Sequence, residues 1–142
     1  MITKLAAVIA AVCLAVGSTQ AAVPEPRKCT GLEERAIAEM ICAEAGDKPL
    51  ICRLALAAVV FNRVGSPDYP DNVLAVLADR GAFPNYDASA VVRGSDMTEV
   101  MRIVYAAEYG MDPSFGATSF SHEPTDSGVL HLAAGGMFFY GR

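Results

Sequence analysis

A glutamate at the end of a predicted apolar helix face is the residue of this sequence best placed for acid–base chemistry. Glu44 follows Met40 by four residues and Ile41 by three, so helical spacing directs its carboxyl group along the apolar face. An ionised carboxylate is poorly hydrated there, which favours the protonated acid, and a carboxyl group that keeps its proton can act as a general acid. Spacing alone does not single out Glu44, because Glu108 follows Val104 in the same way and a helix-end glutamate often meets only water or a backbone amide.

Four helices and three short strands are predicted around this residue. The first helix begins after Thr30, which forms a capping box with Glu33, and the second is apolar almost all round. The predicted helices cover residues 31–45, 50–64, 71–79 and 96–110, and the predicted strands cover residues 117–121, 129–133 and 137–140. Asp96, with Glu99 three residues later, is the predicted cap of the last helix. The pattern indicates an α+β fold that is mainly helical, with a small antiparallel sheet at its C-terminal end.

Length, composition and charge exclude several classes of protein. The chain has 142 residues, which is about one domain. Hydrophobic residues make up 53% and charged residues 19%, a balance that excludes intrinsic disorder. Sixteen acidic residues against eleven Lys and Arg give a net charge of −5, which repels phosphate backbones. We therefore expect no nucleic-acid partner.

The N-terminal residues have the pattern of a signal peptide. Lys4 precedes the uncharged run Leu5–Val16, which is too short for a confident membrane span, and the small residues Thr19 and Ala21 suit a signal-peptidase site. We predict a signal peptide over residues 1–21, a leader over 22–30 and the folded domain over 31–142. The product would be exported, periplasmic or extracellular, with no stable membrane span after cleavage. An uncleaved anchor or a lipoprotein modified at Cys13 is the alternative.

The cysteines and histidines do not form a recognisable metal motif. Cys29, Cys42 and Cys52 remain after cleavage, and an oxidising compartment favours pairing two of them, although the sequence does not say which. His122 is followed at once by Glu123, but Pro124 prevents the continuing helix that a His-Glu zinc motif needs. The sequence predicts no metal and no cofactor.

Several motifs, in order along the chain, resemble the SleB-like cell-wall hydrolases, a family that includes the spore-cortex-lytic enzymes. The most specific are the Ala-Glu-Ala of residues 43–45 and the Asn-Arg-Val of residues 62–64 at the right distance after it. The similarity continues through residues 66–73 (SPDYPDNV), 81–83 (GAF), 112–113 (DP), 116–117 (GA) and 136–140 (GMFFY). It covers nearly all of the chain after the predicted signal peptide.

The resemblance implies a lysozyme-like catalytic domain that acts on peptidoglycan. The residue matching Glu44 is taken as the catalytic acid, which cleaves the glycan strand between N-acetylmuramic acid and N-acetylglucosamine. Ordinary glycosidases need two carboxylates, whereas a lytic transglycosylase uses one and gives a 1,6-anhydro product. Asp47, Asp87 and Asp112 are the alternatives for a second, hydrolytic carboxylate, but each stands beside a turn signal and is more simply a cap.

Polar and aromatic residues are predicted to bind the glycan. The family match supports Asn62, which ends the second helix, although a polar residue there can simply bond backbone carbonyls. Phe83, Tyr86 and Tyr140 are predicted to stack on sugars, with the hydrophobic core as the alternative position for their rings.

Three departures from the family pattern favour a second hypothesis. Ala82 stands where relatives often have a polar residue, Met137 where they often have histidine, and residues 121–124 (SHEP) where they have an Asn-Pro or histidine-rich turn. The resemblance implies that these positions lie near the cleft. The alternative function is therefore an exported domain that binds peptidoglycan or a protein partner with little catalysis. The predicted partners are peptidoglycan glycan strands, and an activator or accessory protein.

Overall fold

The computed structural model describes residues 29–89 and 97–142. Four helices and three strands are present in these two ranges. They are α1 (Gly31–Ala45), α2 (Leu50–Val64), α3 (Val73–Leu77), α4 (Met97–Glu108), β1 (Ser119–Ser121), β2 (Val129–Ala134) and β3 (Met137–Gly141). The predicted signal peptide, nearly all of the predicted leader and the predicted cap Asp96 lie outside the described residues.

The capping box predicted for α1 is confirmed. Thr30 Oγ1 accepts a hydrogen bond from the backbone N–H of Glu33, and the Glu33 carboxylate accepts one from the Thr30 N–H at 2.8 Å. The buried face of the helix leads from Ala36 towards its C-terminal end. Leu32, predicted on the same face, is 68% exposed. A helical side chain covers the turn before its own Cα, and Leu32 therefore points past the start of the helix.

Helix α2 is the buried centre of the domain, as its sequence predicts. All its residues from Ala55 to Phe61 are buried, and it packs against α1, α3, α4 and β1. A four-residue turn joins the C-terminal end of α1 to the N-terminal end of α2. Glu44 therefore lies near the beginning of α2, and Asn62 lies near its other end.

The third and fourth helices differ slightly from their predicted ranges. Asn72 caps α3 by accepting a hydrogen bond from the Ala75 N–H at 2.9 Å, so this helix is shorter than predicted. The buried face of α4 is centred on Val100 and Val104, whereas Met101, predicted on the same face, is only half-buried. Gly110 ends the helix in a left-handed conformation with φ of 98°.

The predicted C-terminal sheet is confirmed. It has three antiparallel strands in the order β1-β3-β2, with Phe120 opposite Phe139. The pairing of β2 with β3 is irregular between Leu130 and Leu132, where His131 turns its ring towards the backbone of Gly141. The architecture is thus mainly helical with a small antiparallel sheet, as expected. Within residues 29–89 and 97–142, no helix combines the length and apolar character needed to cross a bilayer.

Candidate active site

The carboxyl group of Glu44 is fully enclosed at the C-terminal end of α1. Its side chain is 0% exposed. Its Oε1 accepts a hydrogen bond of 2.7 Å from the backbone N–H of Asn85, and its Oε2 accepts one of 2.9 Å from Nδ2 of the same residue. One residue therefore donates to both oxygens. Sequence reasoning missed Asn85, because nothing in a loop sequence indicates which helix the loop will cover.

A histidine approaches the same carboxyl group from the sheet. His122 follows β1 directly, and its Nε2 lies 3.6 Å from Glu44 Oε2. The side chain of His122 is 37% exposed, so it stands between the buried carboxyl group and the surface. Its ring meets the Phe120 ring edge-on, with the centroids 5.9 Å apart. The site thus combines α1, the loop that contains Asn85 and the end of β1.

Phe83 fixes the start of the loop that contains Asn85. Its ring is 1% exposed and lies 5.9 Å from that of Phe120, measured between centroids. The Phe83 N–H donates to the Asp79 carbonyl, and the Tyr86 N–H donates to the Phe83 carbonyl. The main chain of Phe83 thus makes hydrogen bonds on both sides of the loop, and its buried ring anchors the residue that lies two before Asn85.

Arg63 contacts both this loop and the residue that precedes β1. Its guanidinium lies 4.5 Å from the ring centroid of Tyr69 and 5.4 Å from that of Phe83. Its Nε donates a hydrogen bond of 2.6 Å to the Thr118 carbonyl just before the strand. A single buried cation thus fixes two of the three segments that surround Glu44.

Asn62 is not brought to Glu44. It lies twelve residues after Leu50, which is about 18 Å along α2 from its first turn. Its Nδ2 donates to Asp112 Oδ2 at 2.9 Å and to the Ala117 carbonyl at 3.0 Å. In this arrangement Asn62 holds the chain that leads into β1, and its role in substrate binding stays a prediction.

The rings of Phe83 and Tyr140 belong to the core. Tyr140 is 4% exposed, and its hydroxyl accepts a hydrogen bond from the Thr125 N–H at 2.8 Å. Neither ring presents a face on which a sugar could stack in this conformation. Met137, where the family often has histidine, is likewise fully buried.

Tyr86 is half-buried and lines an open cavity of about 420 Å³ beside Asn85. Burial raises the pKa of its hydroxyl, and the negative charges of Glu39 and Asp87 raise it further. The cavity is lined by Leu77, Ala78, Arg80, Tyr86, Asp87, Ala88 and Ser89. Tyr86 is therefore a predicted sugar-binding residue that lines a cavity in the described part of the chain.

Two of the predicted alternative carboxylates accept hydrogen bonds within the turns in which they lie. Asp87 accepts hydrogen bonds from the N–H and the hydroxyl of Ser89, and these bonds lower its pKa. Asp112 accepts bonds from Ser114, Gly116 and Asn62. Burial raises the pKa of Asp112, but the hydrogen bonds outweigh this effect and hold it below its usual value. Asp47 is exposed.

The described residues 29–89 and 97–142 contain no group of three His, Cys, Asp or Glu side chains arranged to hold a metal ion. Cys52 is buried, and its thiol donates to the Ala134 carbonyl at 3.0 Å. Burial raises the pKa of this thiol, although Lys48 acts in the opposite direction. Cys52 therefore has a packing role between α2 and the sheet.

Comparison with known proteins places this chain in a family. The family model described as Cell Wall Hydrolase matches residues 47–137, well over half of the chain. The chain belongs to the cell wall hydrolase family. The resemblance inferred from the sequence motifs is thus confirmed. Glu44 itself lies three residues before the matched stretch.

A curated relative and two solved structures agree with this family. A spore cortex-lytic enzyme of Halalkalibacterium halodurans is 36% identical over 89 residues, which cover 63% of this chain and 27% of that protein. The chain thus spans about a quarter of the length of that relative. The catalytic domain of Bacillus cereus SleB superimposes with a TM-score of 0.69 at 22% identity, covering 88% of this chain and all of that domain.

The second structure is the catalytic domain of the germination-specific lytic transglycosylase SleB from Bacillus anthracis. It superimposes with a TM-score of 0.70 at 22% identity, covering 82% of this chain and 99% of that domain. At this level of identity, the two superpositions establish that this chain shares the fold of these domains.

Proposed function

We propose that this protein is an exported enzyme that cleaves the glycan strands of peptidoglycan, with Glu44 as its general acid and general base. Membership of the cell wall hydrolase family supports the substrate. The observation that carries the proposal is the enclosed carboxyl group of Glu44, held on both oxygens by Asn85. A buried carboxyl group in fixed geometry is what proton transfer to a glycosidic oxygen requires.

The positions of the three alternative carboxylates favour a reaction with a single carboxyl group. Asp47 and Asp87 are exposed, and none of the three is bonded to Glu44 or to its partners Asn85 and His122 in the described residues. Asp87 and Asp112 both accept bonds within their own turns. A hydrolase would need a second carboxylate placed to activate water on the other side of the bond. We therefore propose a lytic transglycosylase, in which the substrate supplies its own nucleophile.

Two proton transfers complete this reaction. Glu44 first gives its proton to the oxygen that bridges N-acetylmuramic acid and N-acetylglucosamine, and the bond from that oxygen to the muramic acid anomeric carbon breaks. The resulting carboxylate then takes the proton of the muramic acid 6-hydroxyl, whose oxygen bonds to the same carbon. Glu44 ends protonated, no water is consumed, and the product is a 1,6-anhydro-muropeptide.

Peptidoglycan digestion with a matched pair of glutamate variants tests this proposal. Wild-type protein should release anhydro-muropeptides, identified by mass spectrometry, and Glu44→Gln should reduce the rate by about 10²-fold or more. Glu108→Gln is the control, because Glu108 is also a buried glutamate near a helix end, where it accepts from the Cys29 N–H. It should retain activity.

Other products or none would change the proposal. Reducing sugar ends formed with uptake of water would indicate a hydrolase with a second carboxylate. Binding to peptidoglycan without any product, by a folded protein and in the presence of cell extract as a source of activator, would favour the binding domain instead. Mass spectrometry of the exported protein should find its N-terminus at Ala22 if the predicted signal peptide is removed.

A further inference from the structure

The two oxygens of Glu44 have different kinds of partner. Oε1 accepts from the backbone N–H of Asn85, which cannot leave unless the chain itself moves. Oε2 accepts from the side-chain amide of Asn85, and a rotation of that side chain would break the bond. Oε2 is also the oxygen nearest to His122, the partly exposed neighbour. Among the described residues, the contacts of this carboxyl group that side-chain movement alone can break are therefore those to Oε2.

The proposed reaction requires one of these contacts to open. The Glu44 side chain is 0% exposed, whereas a general acid must come within about 2.6–3.2 Å of the oxygen that it protonates. Asn85 is an exposed residue, so its side chain can turn into solvent. Exposed side chains change rotamer in picoseconds to nanoseconds, and no backbone movement is needed.

We propose that Asn85 is a positioning residue whose two donors have separate functions. Its backbone N–H holds Oε1 throughout the reaction. Its side-chain amide covers Oε2 in the free enzyme and leaves when a glycan strand enters, which makes Oε2 the oxygen that exchanges protons with the substrate. This inference rests on the proposed role of Glu44.

The hydrogen bond from the Asn85 N–H to Oε1 can stabilise Glu44 after its first proton transfer. After the first proton transfer Glu44 is a carboxylate, and hydrogen bonds to a charged acceptor are roughly twice as strong as those between neutral groups. The Asn85 N–H is already directed at Oε1, so it can stabilise this state without further rearrangement.

Chemical labelling of Glu44 tests the covering function without depending on activity. A water-soluble carbodiimide and an amine convert accessible carboxyl groups into amides, which peptide mass spectrometry locates. Glu44 should resist labelling in the wild type and label at least about tenfold faster in Asn85→Ala, which keeps the backbone N–H but removes the side-chain amide. Glu108 should stay unlabelled in both proteins because it is also buried, and Glu123 should label in both because it is exposed.

Kinetics on soluble glycan strands test the release step. The hydrogen bond from the Asn85 side chain to Oε2 must break before the glycan binds, so it stabilises only the free enzyme. Asn85→Ala should therefore lower KM by up to about tenfold and leave kcat within about threefold. Asn72→Ala is the control, because it makes the same substitution at an exposed asparagine whose side chain bonds the Ala75 N–H in α3 instead of Glu44. It should change neither KM nor the labelling of Glu44.

Two results would overturn the inference. One is equal labelling of Glu44 in wild type and Asn85→Ala, which would mean that the side chain does not cover the carboxyl group. The other is a large loss of kcat in Asn85→Ala, which would mean that the side-chain amide is needed during the reaction. If no variant cleaves peptidoglycan, the proposed function fails, and the labelling still decides whether Asn85 covers Glu44.

Discussion

Nε2 of His122 lies 3.6 Å from Oε2 of Glu44, close enough for an ion pair when the imidazole is protonated. Two uncharged groups also contact this pair, the amide of Asn85 on Glu44 and the ring of Phe120, which meets the imidazole edge-on. Glu123 is the next residue in the chain and is exposed. His122 thus lies between the buried carboxyl group and the surface, on the side of Oε2.

Replacement of His122 should expose the carboxyl group of Glu44. The imidazole lies 3.6 Å from Oε2 and is itself partly exposed, so it stands between this oxygen and the surface. His122→Ala removes the ring, and carbodiimide labelling of Glu44 should therefore become severalfold faster than in the wild type. The measurement is the labelling rate of Glu44 by peptide mass spectrometry for both proteins.

The second histidine of the chain provides the control for this prediction. His131 Nδ1 lies 3.0 Å from the Ser114 carbonyl, away from Glu44. His131→Ala should therefore leave the labelling of Glu44 unchanged, whatever it does to stability. Equal labelling rates in wild type and His122→Ala would show that the imidazole does not shield Glu44.

The Asp112 carboxylate should stabilise the fold in a pH-dependent way. It accepts bonds from Asn62, Ser114 and Gly116, and its pKa is lowered in the folded protein. A lowered pKa means that its stabilisation is complete above the unfolded-state value of about 3.9 and is lost as the pH falls through the folded value. Asp112→Ala should therefore cost about 2 kcal/mol in urea unfolding at neutral pH and less in acid.

Asp87, a second aspartate in a turn, is the control that shows how much of the effect of Asp112 on stability depends on its burial. Asp87 accepts a comparable pair of bonds from Ser89, but it is fully exposed. Asp87→Ala should change the unfolding midpoint little. Equal effects of the two substitutions would contradict the importance of burial and of the link to Asn62.

The helices were predictable because their signals are local. The capping box at Thr30 and the glycine at residue 110 act within a few residues, and both are present as expected. Helical spacing placed Glu44 and Glu108 on buried faces, and both are buried. What spacing could not decide was which partners each would meet, Asn85 and His122 for Glu44 and the Cys29 N–H for Glu108.

The partners of Glu44 come from chain segments that are distant in sequence. Asn85 is 41 residues away, in a loop with no periodicity of its own. The resemblance places the turn of residues 121–124 near the cleft, but it does not predict that His122 contacts Glu44. Asn62 is predicted to bind the glycan, but its side chain bonds the Ala117 carbonyl ahead of β1, as the neighbouring Arg63 bonds the Thr118 carbonyl. These outcomes depend on tertiary packing, which a single sequence does not encode locally.

Replacing Arg63 by lysine should destabilise the domain although the charge is kept. The guanidinium bonds the Thr118 carbonyl and lies against the rings of Tyr69 and Phe83, a combination that a compact ammonium group cannot reproduce. We expect a loss of about 2 kcal/mol in the free energy of unfolding. Arg35→Lys is the control, because Arg35 is 65% exposed and pairs only with Glu39 at the surface. It should cost less than about 0.5 kcal/mol, and a similar effect of both substitutions would refute the role given to Arg63.

Replacement by leucine should affect mainly stability at Phe83 and mainly substrate binding at Tyr86. Phe83 is 1% exposed in the core, so Phe83→Leu should lower the free energy of unfolding by about 2 kcal/mol. Tyr86 is half-buried beside an open cavity, so Tyr86→Leu should raise KM for glycan strands about fivefold with little change in stability. Urea unfolding and KM, measured on both variants, separate core packing from sugar contact. A raised KM with unchanged stability in Phe83→Leu would instead mean that the Phe83 ring turns outward to meet the glycan.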